Sequence, residues 1–152
     1  MRILVLSDSH GDISSMQMAL NMHREAETIV FLGDGEDDFD YVRKGINDKM
    51  IYAVKGNCDF YSLLPANEIF NAGDVKVYAS HGYAENVKYG TSMLYEKARE
   101  HGCKLALYGH THIPKLEYDN GVYLFCPGSI RDGQYGMVDI TEAGIICINA
   151  KL

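Results

Sequence analysis

Residues 3–10 read Ile3-Leu4-Val5-Leu6-Ser7-Asp8-Ser9-His10. Four consecutive aliphatic residues suit a strand buried on both faces, as in a parallel sheet covered by helices. The run then stops on side chains that offer oxygen and nitrogen donors. Asp8 and His10 are two residues apart, so in extended backbone both point to one side, and His110 and His112 repeat that spacing. The same junction recurs along the chain. The apolar run 28–32 ends in Gly33-Asp34, and 50–54 leads to Gly56-Asn57-Cys58-Asp59. The run 75–79 ends in Ser80-His81-Gly82, and 105–108 ends in Gly109-His110-Thr111-His112. Ligands of open α/β sheets gather outside the carboxyl ends of strands, so five such ends can deliver these donors to one crevice. Glycines at 11, 33, 56, 82 and 109 leave room for tight turns and close backbone approach beside the donors.

Between the junctions the pattern alternates. A helix that Ser14 or Asp12 can cap runs to about Glu27, with Met16, Ala19, Leu20 and the Met22-to-Ala26 spacing on its apolar side. Asp12 reads as its cap or, alternatively, as an acceptor for a ligand histidine. The acidic stretch Glu36, Asp37, Asp38 and Asp40 reads as a solvated loop and the start of a short helix ending near Lys44. A further helix spans Thr91 to Glu100 and stops at His101-Gly102. The second half is richer in hairpins. Segment 68–70 returns as 75–79 around the four-residue turn Asn71–Asp74. Segment 116–118 returns as 122–125 around Asp119-Asn120-Gly121, and 136–140 as 145–148 around Glu142–Gly144. Strands joined both by helical crossovers and by hairpins imply an α/β fold in which two mixed β-sheets pack as a sandwich with flanking helices.

Composition narrows the function classes. The 152 residues are 47% apolar and 23% charged, enough for one domain over 1–152 with its own core and against intrinsic disorder. No apolar run approaches the ~18–20 residues of a membrane span, and Ile3–Leu6 is too short for a signal-peptide core. The net charge of −7 and the lack of a basic patch argue against generic nucleic-acid binding. Bound divalent cations would reverse the sign locally, so a phosphate substrate stays open. Cys58, Cys103, Cys126 and Cys147 form no CxxC pair, which fits reduced thiols in a cytoplasmic protein. The eleven tyrosines fall mostly at strand positions and read as half-buried packing.

In this order the blocks Asp8-Ser9-His10, Gly33-Asp34, Gly56-Asn57-Cys58-Asp59, His81-Gly82 and Gly109-His110-Thr111-His112 resemble those of the calcineurin-like metallophosphoesterase superfamily. The likeness is to its small bacterial and archaeal phosphodiesterases, whose third block reads Gly-Asn-Cys-Asp. Pro127-Gly128-Ser129 resembles a further family segment, although Cys126 stands where the family usually has Asn. The resemblance implies a four-layer α/β/β/α order and two divalent metal ions. Asp8, His10, Asp34 and His112 would hold one ion, and Asp34, Asn57, His81 and His110 the other. Asp34 would bridge, its two oxygens each facing a cation. A shell of oxygen and nitrogen without thiolate favours Mn²⁺, Ni²⁺, Co²⁺, Fe or Zn²⁺ over Ca²⁺ or a structural Cys-zinc site, and the resemblance as much as ligand hardness puts Mn²⁺ first.

The implied reaction is hydrolysis of a small phosphodiester by a metal-bridging hydroxide, without a phospho-enzyme. Asn57, Cys58 and His81 are the candidate catalytic residues, and Asn57 and Arg131 the candidate substrate contacts. Many superfamily members carry His where this chain has Cys58, and a thiol is a poorer acid for a leaving alkoxide. Activated diesters should therefore be cleaved better than ordinary monoesters. Bland alternatives exist: Asn57 as a left-handed turn residue, Cys58 as a space-filler behind it, Arg131 as a surface residue. Asp59 would orient histidine or asparagine side chains. The competing functions are a protein-interaction scaffold on the same fold and a phosphomonoesterase. No sequence pattern decides between a monomer and a homo-oligomer.

Overall fold

A computed structural model describes residues 1–152. In chain order the elements are β1 (Arg2–Leu6), α1 (Ile13–Met22), β2 (Thr28–Phe31), α2 (Glu36–Arg43), β3 (Met50–Ala53), β4 (Asn67–Ala72), β5 (Val75–Ser80), α3 (Ser92–Glu100), β6 (Leu105–Leu107), β7 (Lys115–Asp119), β8 (Val122–Cys126), β9 (Gln134–Thr141) and β10 (Gly144–Lys151). Short 3-10 turns occupy Val87–Tyr89 and Ile130–Asp132. One sheet runs β10-β9-β1-β2-β3 and the other β4-β5-β6-β8-β7. The strands β1, β2 and β3 are parallel, as are β5, β6 and β8, while the hairpin partners run antiparallel. Both sheets are therefore mixed, as the alternation of crossovers and hairpins implies.

Side-chain alternation along each strand builds the layers. Ile3 and Val5 of β1 face the second sheet, where they join Val30, Val77, Leu105, Leu107 and Phe125 in the central core. Leu4 and Leu6 face the other way, onto Met16 and Leu20 of α1 and Phe39 of α2. Tyr78, Ala106 and Leu124 on the outer face of the second sheet pack on Leu94 and Ala98 of α3. Helices thus cover both outer faces, giving α/β/β/α. No helix is long and apolar enough to cross a membrane.

Three local expectations shift. The first helix stops at Met22 rather than near Glu27, because His23 leaves helical geometry and its ring binds Tyr135 Oη at 2.9 Å. Asp12 does cap that helix, accepting from the Ser15 N–H at 3.0 Å and from both neighbouring serine hydroxyls. Of the expected loop and helix start, the acidic residues 36–38 belong wholly to the helix, forming the first turn of α2, where carboxylates suit the positive end of the helix dipole. All three hairpin turns tighten to two residues, Gly73-Asp74, Asn120-Gly121 and Glu142-Ala143, since Ala72 pairs with Val75, Asp119 with Val122 and Thr141 with Gly144.

Candidate metal centre

The parallel strands end at the same side of the sandwich, and their following loops bond to one another across it. Asp8 N–H donates to Gly33 O at 2.9 Å, His10 N–H to Asp34 O at 3.2 Å, and Gly109 N–H to His81 O at 3.0 Å. His81 comes from the second sheet, yet its Nδ1 lies 2.7 Å from Leu32 O at the end of β2 in the first. That bond fixes the seam between the sheets at the site.

Extended geometry at the Asp-x-His pairs does not hold. Asp8, His10, Asp34, His110 and His112 all have positive φ, between 43° and 69°. The strands stop before them, and each donor sits on a left-handed residue that re-aims its side chain into the crevice. Such backbone costs about 1 kcal/mol or more per residue and persists where the surroundings over-determine it. Asn57 has no positive φ, so the left-handed turn reading fails for it.

The donors assemble in two main groups, Asp8–His10–His112 and Asp34–His81–His110, in each of which the ligating atoms lie within 4.8 Å of one another. His112 Nε2 is 3.1 Å from Asp8 Oδ1 and 3.3 Å from His10 Nε2. His81 Nε2 is 3.0 Å from Asn57 Oδ1 and 3.3 Å from Asp34 Oδ2. Donors ~2.1 Å from a cation stand ~3 Å apart along the edges of an octahedron, so these separations suit atoms that share an ion. The chemistry agrees. With Nδ1 donating to Leu32 O, the Nε2 of His81 faces two acceptor oxygens, an arrangement that demands a proton or a cation between them.

Each carboxylate keeps one oxygen for the centre. Asp8 Oδ2 accepts from the Ser7 hydroxyl and from His110 N–H at 3.1 Å, which leaves Oδ1 facing His112. Asp34 Oδ1 accepts from Cys58 N–H at 2.7 Å, while Oδ2 lies 3.3 Å from His81 and 3.8 Å from His10. The expectation that both Asp34 oxygens face cations is therefore corrected: Oδ2 alone sits between the two groups. Burial opposes ionisation of Asp34, but His81 and the Cys58 backbone outweigh it and hold the carboxyl well below the usual range. Burial likewise works against a charged His81, yet Asp34 and Asp8 raise its pKa overall. His110 is pushed down by burial, then by the charges of His81 and Lys88.

The support beneath these ligands is denser than the sequence suggested. Asp59 accepts from four backbone N–H groups, those of Gly56, Asp34, Gly35 and Glu36, at 2.7–2.9 Å. It orients main chain, not histidine or asparagine side chains. Asp38, expected in a solvated cluster, is buried and accepts from Ser9 Oγ at 2.6 Å and Gly11 N–H at 2.7 Å. Ser129 Oγ donates to Asp8 O at 2.8 Å, so the segment after β8 clamps the first block. A Cβ on Gly56 would sit 2.0 Å from Asp34 Oδ1, which explains why no side chain stands there. The sequence reading assigned no supporting role to Ser7 or Asp38, and Ser129 entered it only within the Pro127-Gly128-Ser129 segment. The serines flanking Asp8 were the one available signal, since short hydroxyls beside a buried carboxylate are ready donors.

Other sequence candidates fall at the rim. Cys58 is exposed and takes a 3.4 Å contact from Asn57 Nδ2, so the space-filling reading fails. Its Sγ lies within 4.8 Å of donor atoms of His10 and Asp34, and burial and the Asp34 charge push the thiol up. Arg131 carries an exposed side chain on the 130–132 turn and reaches the site through its N–H, 3.4 Å from Asp8 O. Cys126 is buried, its carbonyl accepting from Asn149 Nδ2 at 2.8 Å. Several tyrosines depart from the half-buried expectation: Tyr61, Tyr83 and Tyr89 are exposed beside the crevice. None of them belongs to a strand.

Residues 1–143 match the family model for the calcineurin-like phosphoesterase superfamily domain. The chain is 31% identical over 131 residues to the probable metallophosphoesterase YsnB of Bacillus subtilis, covering 86% of this chain and 76% of the relative. It is 23% identical to the phosphodiesterase YfcE of Escherichia coli over 98% of this chain and 93% of that one. A conserved protein of Streptococcus pneumoniae described as a predicted phosphoesterase superposes with a TM-score of 0.85 at 26% identity, over 99% of this chain and 88% of that one. The chain belongs to the calcineurin-like phosphoesterase superfamily.

Proposed function

We propose that this calcineurin-like phosphoesterase hydrolyses small phosphodiesters at a dinuclear centre, with Asp8, His10, Asp34 and His112 holding one divalent ion and Asp34, Asn57, His81 and His110 the other. The carrying observation is the lone Oδ2 of Asp34, between His10 on one side and His81 on the other. Mn²⁺ is the first choice on family likeness as much as on the hardness of the ligands, and Ni²⁺, Co²⁺, Fe or Zn²⁺ also fit an oxygen and nitrogen set. When bound, such a pair acidifies water and offsets charge on the phosphoryl oxygens.

The chain's own residues then set the selectivity. Asn57 is exposed, and its amide has only the weak contact to Cys58 Sγ, so Nδ2 is free to donate to a phosphoryl oxygen. His81 is locked by Leu32 O and cannot swing toward a leaving group. Cys58, its thiol pushed up by burial and by the Asp34 charge, has no cationic form and is a poorer proton donor to a departing alkoxide than an imidazole. Asp34, Glu36, Asp37, Asp38 and Asp59 line one flank of the crevice and disfavour a dianionic monoester relative to a monoanionic diester. The four unpaired cysteines suit a reducing compartment, the cytoplasm. The scaffold reading calls for a decayed ligand set, whereas all seven donors are present here.

The test is hydrolysis of a chromogenic diester and the matching monoester, with Mn²⁺ and with chelator. Mn²⁺-dependent turnover faster on the diester supports the reading. No Mn²⁺-dependent turnover on either ester, together with no metal in the purified protein, overturns it.

A further inference from the structure

The crevice has two unlike flanks. Beyond the acidic one, the opposite flank opens beside Asn57 and His110 as a cleft of about 560 Å³, bordered by Tyr83, Asn86, Lys88 and Tyr89. Lys88 is the charged side chain there, lining the same cleft as His110, and no carboxylate lines it. Tyr83 stands edge-on to His110, with ring centroids 5.4 Å apart and planes at 89°. It nevertheless leaves 59% of its surface exposed, and Tyr89 leaves 93%.

This wall is built, not frayed. Glu85 is buried beneath it and accepts from Tyr78 Oη at 3.0 Å, Ser80 Oγ at 2.8 Å and Lys97 Nζ at 3.1 Å. Val87 is buried against Gly82, where a Cβ would come within 2.7 Å of its methyl group. The 87–89 turn is closed by Val87 N–H to Gly82 O at 3.2 Å and by left-handed Asn86. Anchoring Glu85 and Val87 inward turns Tyr83, Asn86, Lys88 and Tyr89 outward around the cleft. Exposed aromatic faces on a fixed support, with an amide and one cation, are the groups that recognise a heteroaromatic base and its polar sugar. Asn57 and His110 belong both to the centre and to this cleft, so the cleft directly adjoins the centre.

Resting on the phosphodiesterase reading, we infer that this cleft is a nucleoside subsite: one ester group of the substrate is a nucleoside, its base against Tyr83 and Tyr89 and its sugar against Lys88 and Asn86. The acidic flank takes the other ester group, which is uncharged.

The experiment compares the p-nitrophenyl ester of thymidine 5′-phosphate with methyl p-nitrophenyl phosphate, two diesters with one leaving group, on the Mn²⁺-loaded protein. The wild type is expected to favour the nucleotidyl ester by about tenfold or more in kcat/KM, the worth of one stacked base. Tyr89→Ala should lower kcat/KM for the nucleotidyl ester about tenfold more than for the methyl ester, chiefly through KM, and Tyr89→Phe should restore it. Equal treatment of the two esters by the wild type, or equal losses in Tyr89→Ala, overturns the subsite. Calorimetric titration with adenosine 5′-monophosphate and ribose 5-phosphate reads the cleft without turnover. Preference for the nucleotide that vanishes in Tyr89→Ala upholds the subsite even if neither ester is hydrolysed, in which case the phosphodiesterase reading alone fails. Equal affinity for both ligands counts against the cleft itself.

Discussion

The Nε2 atoms of His10 and His112 lie 3.3 Å apart, although 102 residues separate them in the chain. Two imidazole nitrogens that close must share either a proton or a cation, and Asp8 Oδ1 at 3.1 Å from His112 completes the corner. Metal analysis of the Mn²⁺-saturated protein should therefore find about two ions per chain, falling to about one in His112→Ala and in His81→Ala. Mn²⁺ should also raise the wild-type Tm, by linkage of binding to folding, and raise it less in either variant. A stoichiometry unchanged in both variants would place the ions elsewhere.

Asp59 is the keystone of the second and third loops, since one carboxylate accepts from Gly56, Asp34, Gly35 and Glu36. Asp59→Ala strands these donors and is expected to cost about 2–3 kcal/mol, read from urea unfolding. Because Asp34 N–H loses its anchor, Mn²⁺-dependent turnover should fall even at temperatures where the variant is folded. A variant with wild-type stability would show that water replaces the carboxylate.

The cap of α1 contributes to the acid limb of stability. Hydrogen bonds from Ser15 N–H, then from the Ser15 and Ser14 hydroxyls, lower the Asp12 pKa below its ordinary value. A depressed folded value means the cap contributes fully above about pH 4 and loses its contribution as pH falls through that folded value. Asp12→Asn keeps a good cap, so urea unfolding at pH 7 should stay within about 0.5 kcal/mol of wild type, while Asp12→Ala costs about 1 kcal/mol. The drop in stability from pH 5 to pH 3 should be shallower in Asp12→Asn. An unchanged drop assigns the acid limb to other carboxylates.

Cys58 faces the crevice beside Asn57, where an imidazole would add a general acid. Cys58→His is expected to raise the ratio of monoester to diester turnover by about tenfold or more, within the range of general-acid assistance. Cys58→Ala should leave diester turnover within about threefold of wild type, because a thiol is a poor general acid and an activated leaving group needs little help. Steady-state kinetics on a matched pair of esters reads both, and a collapse of diester turnover in Cys58→Ala would give the thiol a larger role.

Much of the architecture was legible because its signals are local. Ile3–Leu6 had to be a strand buried on both faces, and the Asn120-Gly121 pair, with φ of 46° and 92°, had to close a tight hairpin. The donors were legible for a related reason: aspartate, asparagine and histidine beside glycine, each after an apolar run, carry their chemistry in their identity. Helix ends were less so. His23 leaves helical geometry and bonds to Tyr135, which is 112 residues away.

By itself the sequence determined which side chains could meet, in what order and at which strand ends, since burial periodicity and donor chemistry are properties of neighbouring residues. Only the tertiary structure decided how they meet. It turned Asp8, His10, Asp34, His110 and His112 left-handed instead of extended, and it tied Asp34 Oδ1 to the Cys58 backbone so that Oδ2 alone faces both groups. It buried Asp38 under the first loop and set Tyr83 and Tyr89 on the rim. Each of these outcomes depends on a hydrogen bond or a packing contact between distant segments, and such an encounter has no period that a linear sequence can show.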